Sequence, residues 1–257
     1  MDPLKLACDL VAVPSVSLQS NGVASDIVQR SLEEDGFITE RIEYVDANGV
    51  TKANVVGRKG TGAGGLAYFA HTDVVPADTW SIAAHGPFVP TVSGGKLYGR
   101  GSCDMKGSLA AFVTAARRVP AQDLQHPVYV IATADEEVGF HGARNVVERS
   151  KLYAELVDGG ARGIIGEPTE LEAAYAHKGG DGFRAGSRGR AARSSTREGV
   201  NANLAMIPFL GEMKRMHDAT LVDPAWLNDE FDPPWISWNI GINDHTAAVN
   251  ITPPESV

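Results

Sequence analysis

The chain has 257 residues, 43% of them hydrophobic, with 23 basic against 32 acidic residues and a net charge of −9. This length and apolar content exclude a disordered or collagen-like chain and leave room for one large domain or two smaller ones. Nucleic-acid binders displace phosphate counterions with Lys and Arg, so the acidic surplus excludes nucleic acid as a partner of the whole chain.

No stretch approaches the roughly 18 apolar residues of a membrane helix, and the first ten residues lack the basic-then-apolar pattern of a signal peptide. Cys8 and Cys103 lie far apart without metal-type spacing, which reads as two free thiols in a cytoplasmic protein with no membrane partner.

In chain order, Leu4 to Val13 reads as a short helix stopped at Pro14. Ala24 to Glu34 reads as a second, with Ile27, Val28 and Leu32 at helical spacing and Gly36 ending it. Short β-rich runs follow at Ile38–Tyr44, Ala53–Val56 and Leu66–Ala70, and then a loop rich in Gly and Pro. Ser108–Val119 reads as a strong helix, with Leu109, Phe112, Val113 and Ala116 on its apolar side. Val128–Ala132 is a continuous apolar run of the buried-strand type, followed by a helix around Ala143–Glu155 and a short strand at Gly163–Ile165. Strands alternating with helices predict an α/β layered fold on a largely parallel central sheet.

The texture changes near Lys178. Six basic and two acidic residues occupy Lys178 to Glu198, with six glycines through Gly199. Asn201 to His217 patterns as an amphipathic helix, with Leu204, Ile207, Leu210 and Met213 on one face and Pro208 weakening it. Strand candidates lie at Trp235–Ile240 and Ala247–Ile251. A second, α+β domain is therefore expected from about residue 177.

Gly accounts for 28 residues, and many of them flank acidic or His residues in loops, where a chain turns tightly beside a ligand. His71-Thr72-Asp73 follows the strand Leu66–Ala70, at the carboxyl end where open α/β sheets place ligand-binding groups. Asp73 is placed to accept a hydrogen bond from the imidazole and fix its tautomer. Asp104 lies between glycines in GRGSCDMKG and opens the helix that follows, so a helix-terminal carboxylate is its plainest alternative use. Asp135-Glu136-Glu137 follows the buried strand Val128–Ala132, where adjacent carboxylates repel unless a cation or a shared proton relieves them. Glu167, in Gly166-Glu167-Pro168-Thr169, is another acid just past an apolar strand. One His and three acids (His71, Asp104, Glu137, Glu167) at the ends of successive elements match what a two-zinc site requires, and Glu136 is then free to act as general base.

The stretches HTDVVPADTW, PFVPTVSGGKLYGRGSCDMKG, TADEEVG and GIIGEPTE, in this order, resemble the zinc-dependent superfamily of acetylornithine deacetylase, succinyl-diaminopimelate desuccinylase, aminoacylase and glutamate carboxypeptidase. The similarity is dense from residue 66 to about 178 and leans toward acetylornithine deacetylase. It implies a three-layer α/β/α zinc-peptidase catalytic domain, incomplete here, over 1–176 and an inserted α+β lid or dimerisation domain, also incomplete, over 177–257. It implies that His71 is a zinc ligand oriented by Asp73, that Asp104 bridges two metals, that Glu136 is the general base, and that Glu137 and Glu167 are ligands. The implied cofactor is Zn2+, two per subunit in the family and one if a ligand is missing here, with Co2+ as a substitute. The implied activity is hydrolysis of the amide of an N-acyl amino acid by zinc-activated water in arginine or related amino-acid biosynthesis, in a homodimer formed through the lid.

The sequence departs from the pattern in two ways. The family's late His ligand and the last strands of its catalytic domain are absent; His245 is nearest in order but falls in lid-type sequence. Arg193, in Arg190-Ala191-Ala192-Arg193-Ser194-Ser195, stands where the family shows a His that stabilises the oxyanion, and a glycine-rich run precedes it. Sequence damage or relaxed constraint is the expectation for that stretch. The alternatives are therefore a desuccinylase or a di- or aminopeptidase of the same superfamily and, in another class, an inactive metal- or partner-binding fragment. The missing strands also predict an unsatisfied sheet edge and self-association.

Overall fold

A computed structural model describes residues 2–246 and 248–257. The chain divides into two compact units, Met1–Glu172 and Ala173–Val257.

The first unit is built on a five-stranded sheet of order β1-β2-β6-β3-β7. Its strands are β1 (Ile38–Val45), β2 (Thr51–Lys59), β3 (Leu66–His71), β6 (Val128–Thr133) and β7 (Arg162–Ile165). A separate hairpin, β4 (Thr91–Ser93) and β5 (Lys96–Tyr98), turns on Gly94-Gly95, both at positive φ as a two-residue hairpin turn requires. Three helices, α1 (Pro3–Val11), α2 (Gly22–Glu34) and α3 (Lys106–Arg117), pack on one face of the large sheet. Two more, α4 (His141–Arg149) and α5 (Lys151–Asp158), cover the other.

The three layers follow from a period of two in the strands. On one face Val55, Tyr68, Ala70, Val130 and Ala132 meet Leu10, Val28, Leu32 and Leu109. On the other, Val56, Ala67, Tyr129 and Ile131 meet Val146, Leu152 and Leu156. β6 is apolar throughout because both of its faces are covered. The helices start where the sequence provides caps: Asp2 accepts the Leu4 NH at 3.1 Å ahead of Pro3, and Ser150 accepts the Tyr153 NH.

Several expectations are corrected in this unit and its neighbour. The sheet is mixed, not largely parallel, because β1 pairs antiparallel with β2, and β2 with β6. For the first pair the cause is the turn at 46–50, where Asp46 Oδ1 accepts the NH groups of Asn48 and Val50 and Gly49 takes φ +80; so short a connection permits only antiparallel pairing. The helix expected over 143–155 is two helices, split at Ser150, which adopts extended backbone to cap α5 while its hydroxyl donates to Glu40 at 2.6 Å.

The second unit contains one long helix, α6 (Ala202–Val222), capped by Asn201, and one short antiparallel pair, β8 (Ser187–Arg188) with β9 (Glu255–Ser256). α6 does not bury the predicted face: Leu204 and Ile207 are exposed, whereas Ala202, Met206 and Thr220 are buried. Trp235–Ile240 forms no strand, and Trp238 instead donates its indole NH to Thr220 of α6 at 3.0 Å. Of the strand candidate 247–251, Ala247 lies outside the described residues, and Ile251 forms a single bridge with Arg193. Among the described residues no helix is long and apolar enough to cross a membrane.

Candidate metal centre

β3, β6 and β7 run parallel, with Ala70 level with Ala132 and Phe69 level with Ile165, so their carboxyl ends open on one edge of the sheet. That edge receives every candidate residue. His71 ends β3, Glu136 and Glu137 follow β6, Glu167 follows β7, and Asp104 arrives just ahead of α3. The edge is zipped by backbone bonds from Thr72 NH to Thr133 O at 2.9 Å and from Gly166 NH to Phe69 O at 3.0 Å.

His71 is 1% exposed and lies at the middle of the cluster. Its Nε2 is 3.1 Å from Asp104 Oδ1, 3.7 Å from Glu167 Oε1 and 3.9 Å from Glu136 Oε2. Its Nδ1 is 2.9 Å from the backbone carbonyl of Asp73 and 3.6 Å from Asp73 Oδ1. The short contact therefore runs to the main chain of Asp73, not to the carboxylate the sequence suggests. A carbonyl only accepts, so Nδ1 carries a proton, and Nε2 is the nitrogen that faces the acids and is freed for a ligand when the ring sheds its second proton.

The Asp73 carboxylate is instead a fastener. It accepts the Ser17 hydroxyl at 2.7 Å, the Glu136 NH at 3.2 Å and the Glu137 NH at 3.4 Å. Asp104 is not used as a helix cap, because α3 begins after Met105 without a side-chain cap. Its carboxylate turns to His71, and Met105 Sδ accepts the His71 NH at 3.3 Å. Glu167 is brought close by Gly166, where a Cβ would stand 1.9 Å from the Tyr68 hydroxyl oxygen. Asp135 turns away from its two neighbours and meets Lys52.

The electrostatics follow from crowding acids around one imidazole. Burial pushes the carboxyls of Glu136, Glu137 and Glu167 above their usual range, and Asp104 raises each further against the opposing pull of His71. Burial alone lowers the His71 pKa, but Asp73 and Glu136 outweigh it and carry the imidazole to about 9. Burial likewise acts to raise Asp73, yet His71, Ser17 and the Glu136 NH hold it below the usual carboxylate range.

Two groups of donors have ligand atoms within 4.8 Å of one another: His71 with Glu136 and Glu137, and His71 with Asp104 and Glu167. An imidazole nitrogen with carboxylate oxygens crowded around it is a donor set that fits a divalent cation of the zinc type. The structure thus gathers all six residues singled out from the sequence: His71, Asp73, Asp104, Glu136, Glu137 and Glu167. The sequence reading did not find Ser17 or Met105, and no spacing signal marks either. In the second unit, the His245 NH bonds Glu255 O at 3.3 Å and Arg193 bridges Ile251.

Residues 67–252 match the model of the peptidase family M20/M25/M40. The chain is 34% identical over 243 residues to a succinyl-diaminopimelate desuccinylase of Parvibaculum lavamentivorans, covering 90% of this chain and 58% of the relative. It is 36% identical over 250 residues to an acetylornithine deacetylase of Myxococcus xanthus, covering 95% of this chain and 62% of the relative. Succinyl-diaminopimelate desuccinylase of Methylobacillus flagellatus is 37% identical over 262 residues, covering 98% and 65%. The chain thus spans about three-fifths of the length of these relatives. In fold it is similar to human carnosine dipeptidase 1, with TM-score 0.65, 17% identity and coverage of 99% of this chain and 67% of that one. It is also similar to a di-peptidase of Saccharomyces cerevisiae, with TM-score 0.64, 13% identity and the same coverage. Sequence and fold agree: the chain belongs to peptidase family M20/M25/M40.

Proposed function

We propose that the chain carries the metal centre of a zinc-dependent amidohydrolase that cleaves the amide bond of an N-acyl amino acid. The single observation that carries this reading is the convergence of Asp104, Glu136 and Glu167 within 3.9 Å of His71 Nε2, on the edge where β3, β6 and β7 end. In this reading His71, Asp104, Glu137 and Glu167 hold the cation, Asp73 positions both His71 and the Glu136–Glu137 turn, and Glu136 moves the proton. A bound divalent cation supplies Lewis-acid polarisation of the acyl carbonyl and lowers the pKa of water.

The chain's own residues provide the rest. Glu136 is partly open to solvent and its carboxyl is raised by burial, so its affinity for a proton is closer to neutral pH than that of a free carboxylate. That suits a group that takes a proton from water and returns it to the leaving amine. The relatives' names divide between acetyl and succinyl substrates at nearly equal identity, so both acyl groups belong to the proposal. We place the unit from Ala173 onward in a lid or dimerisation domain through which two copies pair.

The test is hydrolysis of N-acetylornithine and N-succinyl-diaminopimelate by the Zn2+- or Co2+-loaded chain, alongside free dipeptides. Glu136→Gln should lower turnover about 10²–10⁴-fold while leaving the bound metal in place. Stoichiometric metal with no turnover of any of these substrates overturns the enzyme reading in favour of a metal-binding fragment.

A further inference from the structure

A second charged group lies directly beneath the acidic turn and takes no part in the reading above. Lys52 on β2 and Asp135 are 1% and 2% exposed, and Lys52 Nζ stands 2.9 Å from Asp135 Oδ1. The contact is an ion pair and not an aligned hydrogen bond, and among the described residues Asp135 Oδ1 accepts no hydrogen bond from any other group. Lys52 donates to the backbone carbonyls of Ser17 and, at 2.8 Å, of Gln19. The other oxygen of Asp135 accepts the Tyr44 hydroxyl at 2.6 Å. Asp135 itself sits at φ +57, a left-handed conformation uncommon for residues other than Gly, which Asp tolerates better than most.

These contacts close a ring around Glu136 and Glu137. Lys52 grips Asp135, the residue that precedes them in the chain. Lys52 also grips the main chain of Ser17, whose hydroxyl bonds the Asp73 carboxylate, and that carboxylate receives the NH groups of Glu136 and Glu137. The turn is thus held from both sides, and the two arms meet at one ammonium group on the β1–β2 hairpin. A buried ion pair is a poor source of stability, since apolar residues of the same volume usually do as well, so its use here is better explained by what it fixes in place.

We propose that Lys52 and Asp135 are positioning residues for the metal centre, with Tyr44 as their support: they set the left-handed turn that aims Glu136 and Glu137 at the cation. The proposal rests on the assignment of those two glutamates to a metal centre.

The test is Co2+ binding to the full chain, read by calorimetry and by the visible absorption of Co2+, which reports ligand geometry independently of turnover. Lys52→Met and Asp135→Asn should each weaken Co2+ binding about 10–100-fold and alter the spectrum, the range in which residues that orient metal ligands act. Tyr44→Phe removes one hydroxyl and should give a smaller loss of the same kind, and it carries the test if the charge variants do not fold. The decisive variant is Lys52→Met with Asp135→Asn, which removes both charges of the pair and keeps a residue tolerant of positive φ. Its melting temperature should recover toward wild type while its Co2+ affinity stays at least about tenfold weaker. Recovery of affinity together with stability would show the pair to be merely structural and overturn the proposal. Wild-type affinity and spectrum in Asp135→Asn or Tyr44→Phe overturn it as well. Failure of the wild-type chain to bind Co2+ at all overturns the metal-centre reading itself, and the clamp with it. As a control, Val28→Ala, in the core on the opposite face of the sheet, should lower the melting temperature without changing the Co2+ spectrum.

Discussion

The backbone NH of Glu136 points at Asp73 Oδ1 across 3.2 Å, so a carboxylate joins the loops after β3 and β6. This arrangement makes Asp73 a structural donor of geometry as much as an electrostatic partner of His71. Asp73→Asn keeps the shape but turns an amide NH2 toward groups that themselves donate, among them Ser17 Oγ and the NH of Glu137. We expect a loss of about 1–3 kcal/mol in stability, the cost of stranding a buried hydrogen-bonding group. Metal affinity should fall about 10–100-fold. Urea denaturation and Zn2+ calorimetry measure the two losses, and wild-type values in both would remove Asp73 from the site.

The metal-free chain should depend on pH through His71. Its folded pKa of about 9 lies above the ordinary 6.5, so the folded state binds the extra proton more tightly than the unfolded one. The stability this provides is fully present below about pH 6.5 and is lost as pH rises toward 9. The raised carboxyls of Glu136, Glu137 and Glu167 act in the same direction. Spread over that interval the His71 contribution is about 3 kcal/mol, since one pKa unit corresponds to about 1.4 kcal/mol. Metal binding has the opposite slope, because a ligating imidazole must shed its proton. Melting curves from pH 6 to pH 9.5, with and without Zn2+, should converge at low pH and separate at high pH.

Gly166 offers a test on the opposite side of the cluster. A Cβ at this position meets the Tyr68 hydroxyl oxygen at 1.9 Å and the ring carbon that bears it at 2.2 Å, and Met105 at 2.9 Å. Tyr68 is buried and stacked on Phe112 at a centroid distance of 4.1 Å, so it has little room to yield. Gly166→Ala should cost about 1–3 kcal/mol by overpacking. Because the displaced strand end carries Glu167, weaker Zn2+ binding should accompany the stability loss. Unchanged Zn2+ affinity in a folded Gly166→Ala chain would show that the Glu167 carboxylate adapts freely.

The four acids and the His could be read from the sequence because His71, Glu136, Glu137 and Glu167 follow strand runs and Asp104 stands just ahead of a helix run, and the parallel strands bring the strand ends to one edge. What escaped the sequence was what holds them. Ser17 lies in an unpatterned loop and reaches Asp73 across 56 positions, a separation no local periodicity encodes. Asp135 looked like a third member of an acidic cluster, whereas a positive φ turns it toward Lys52. The β1–β2 and β4–β5 hairpins were marked by Asp46-Ala47-Asn48-Gly49 and by Gly94-Gly95, turn signals that fix antiparallel pairing and were passed over. In the second unit the apolar spacing predicts a helix over Asn201–His217, and the helix forms over Ala202–Val222. Its buried face was not legible, because Leu204 and Ile207 mimic a core stripe while Met206 is the residue that packs.

The outer strand of the large sheet leads to the last prediction. β7 pairs only with β3 among the described residues, and all four of its residues are exposed, Ile164 at 47% and Ile165 at 71%. An exposed strand edge with apolar side chains offers unpaired NH and carbonyl groups to another chain, and proteins usually blunt such edges with charge, above all Lys. Self-association through β7 should therefore appear in light scattering as a rise in apparent mass with protein concentration. Ile165→Lys places a charge on that edge, so it should suppress association. Equal association of Ile165→Lys and wild type would locate the contact on another surface, and a monodisperse monomer at high concentration would remove it altogether.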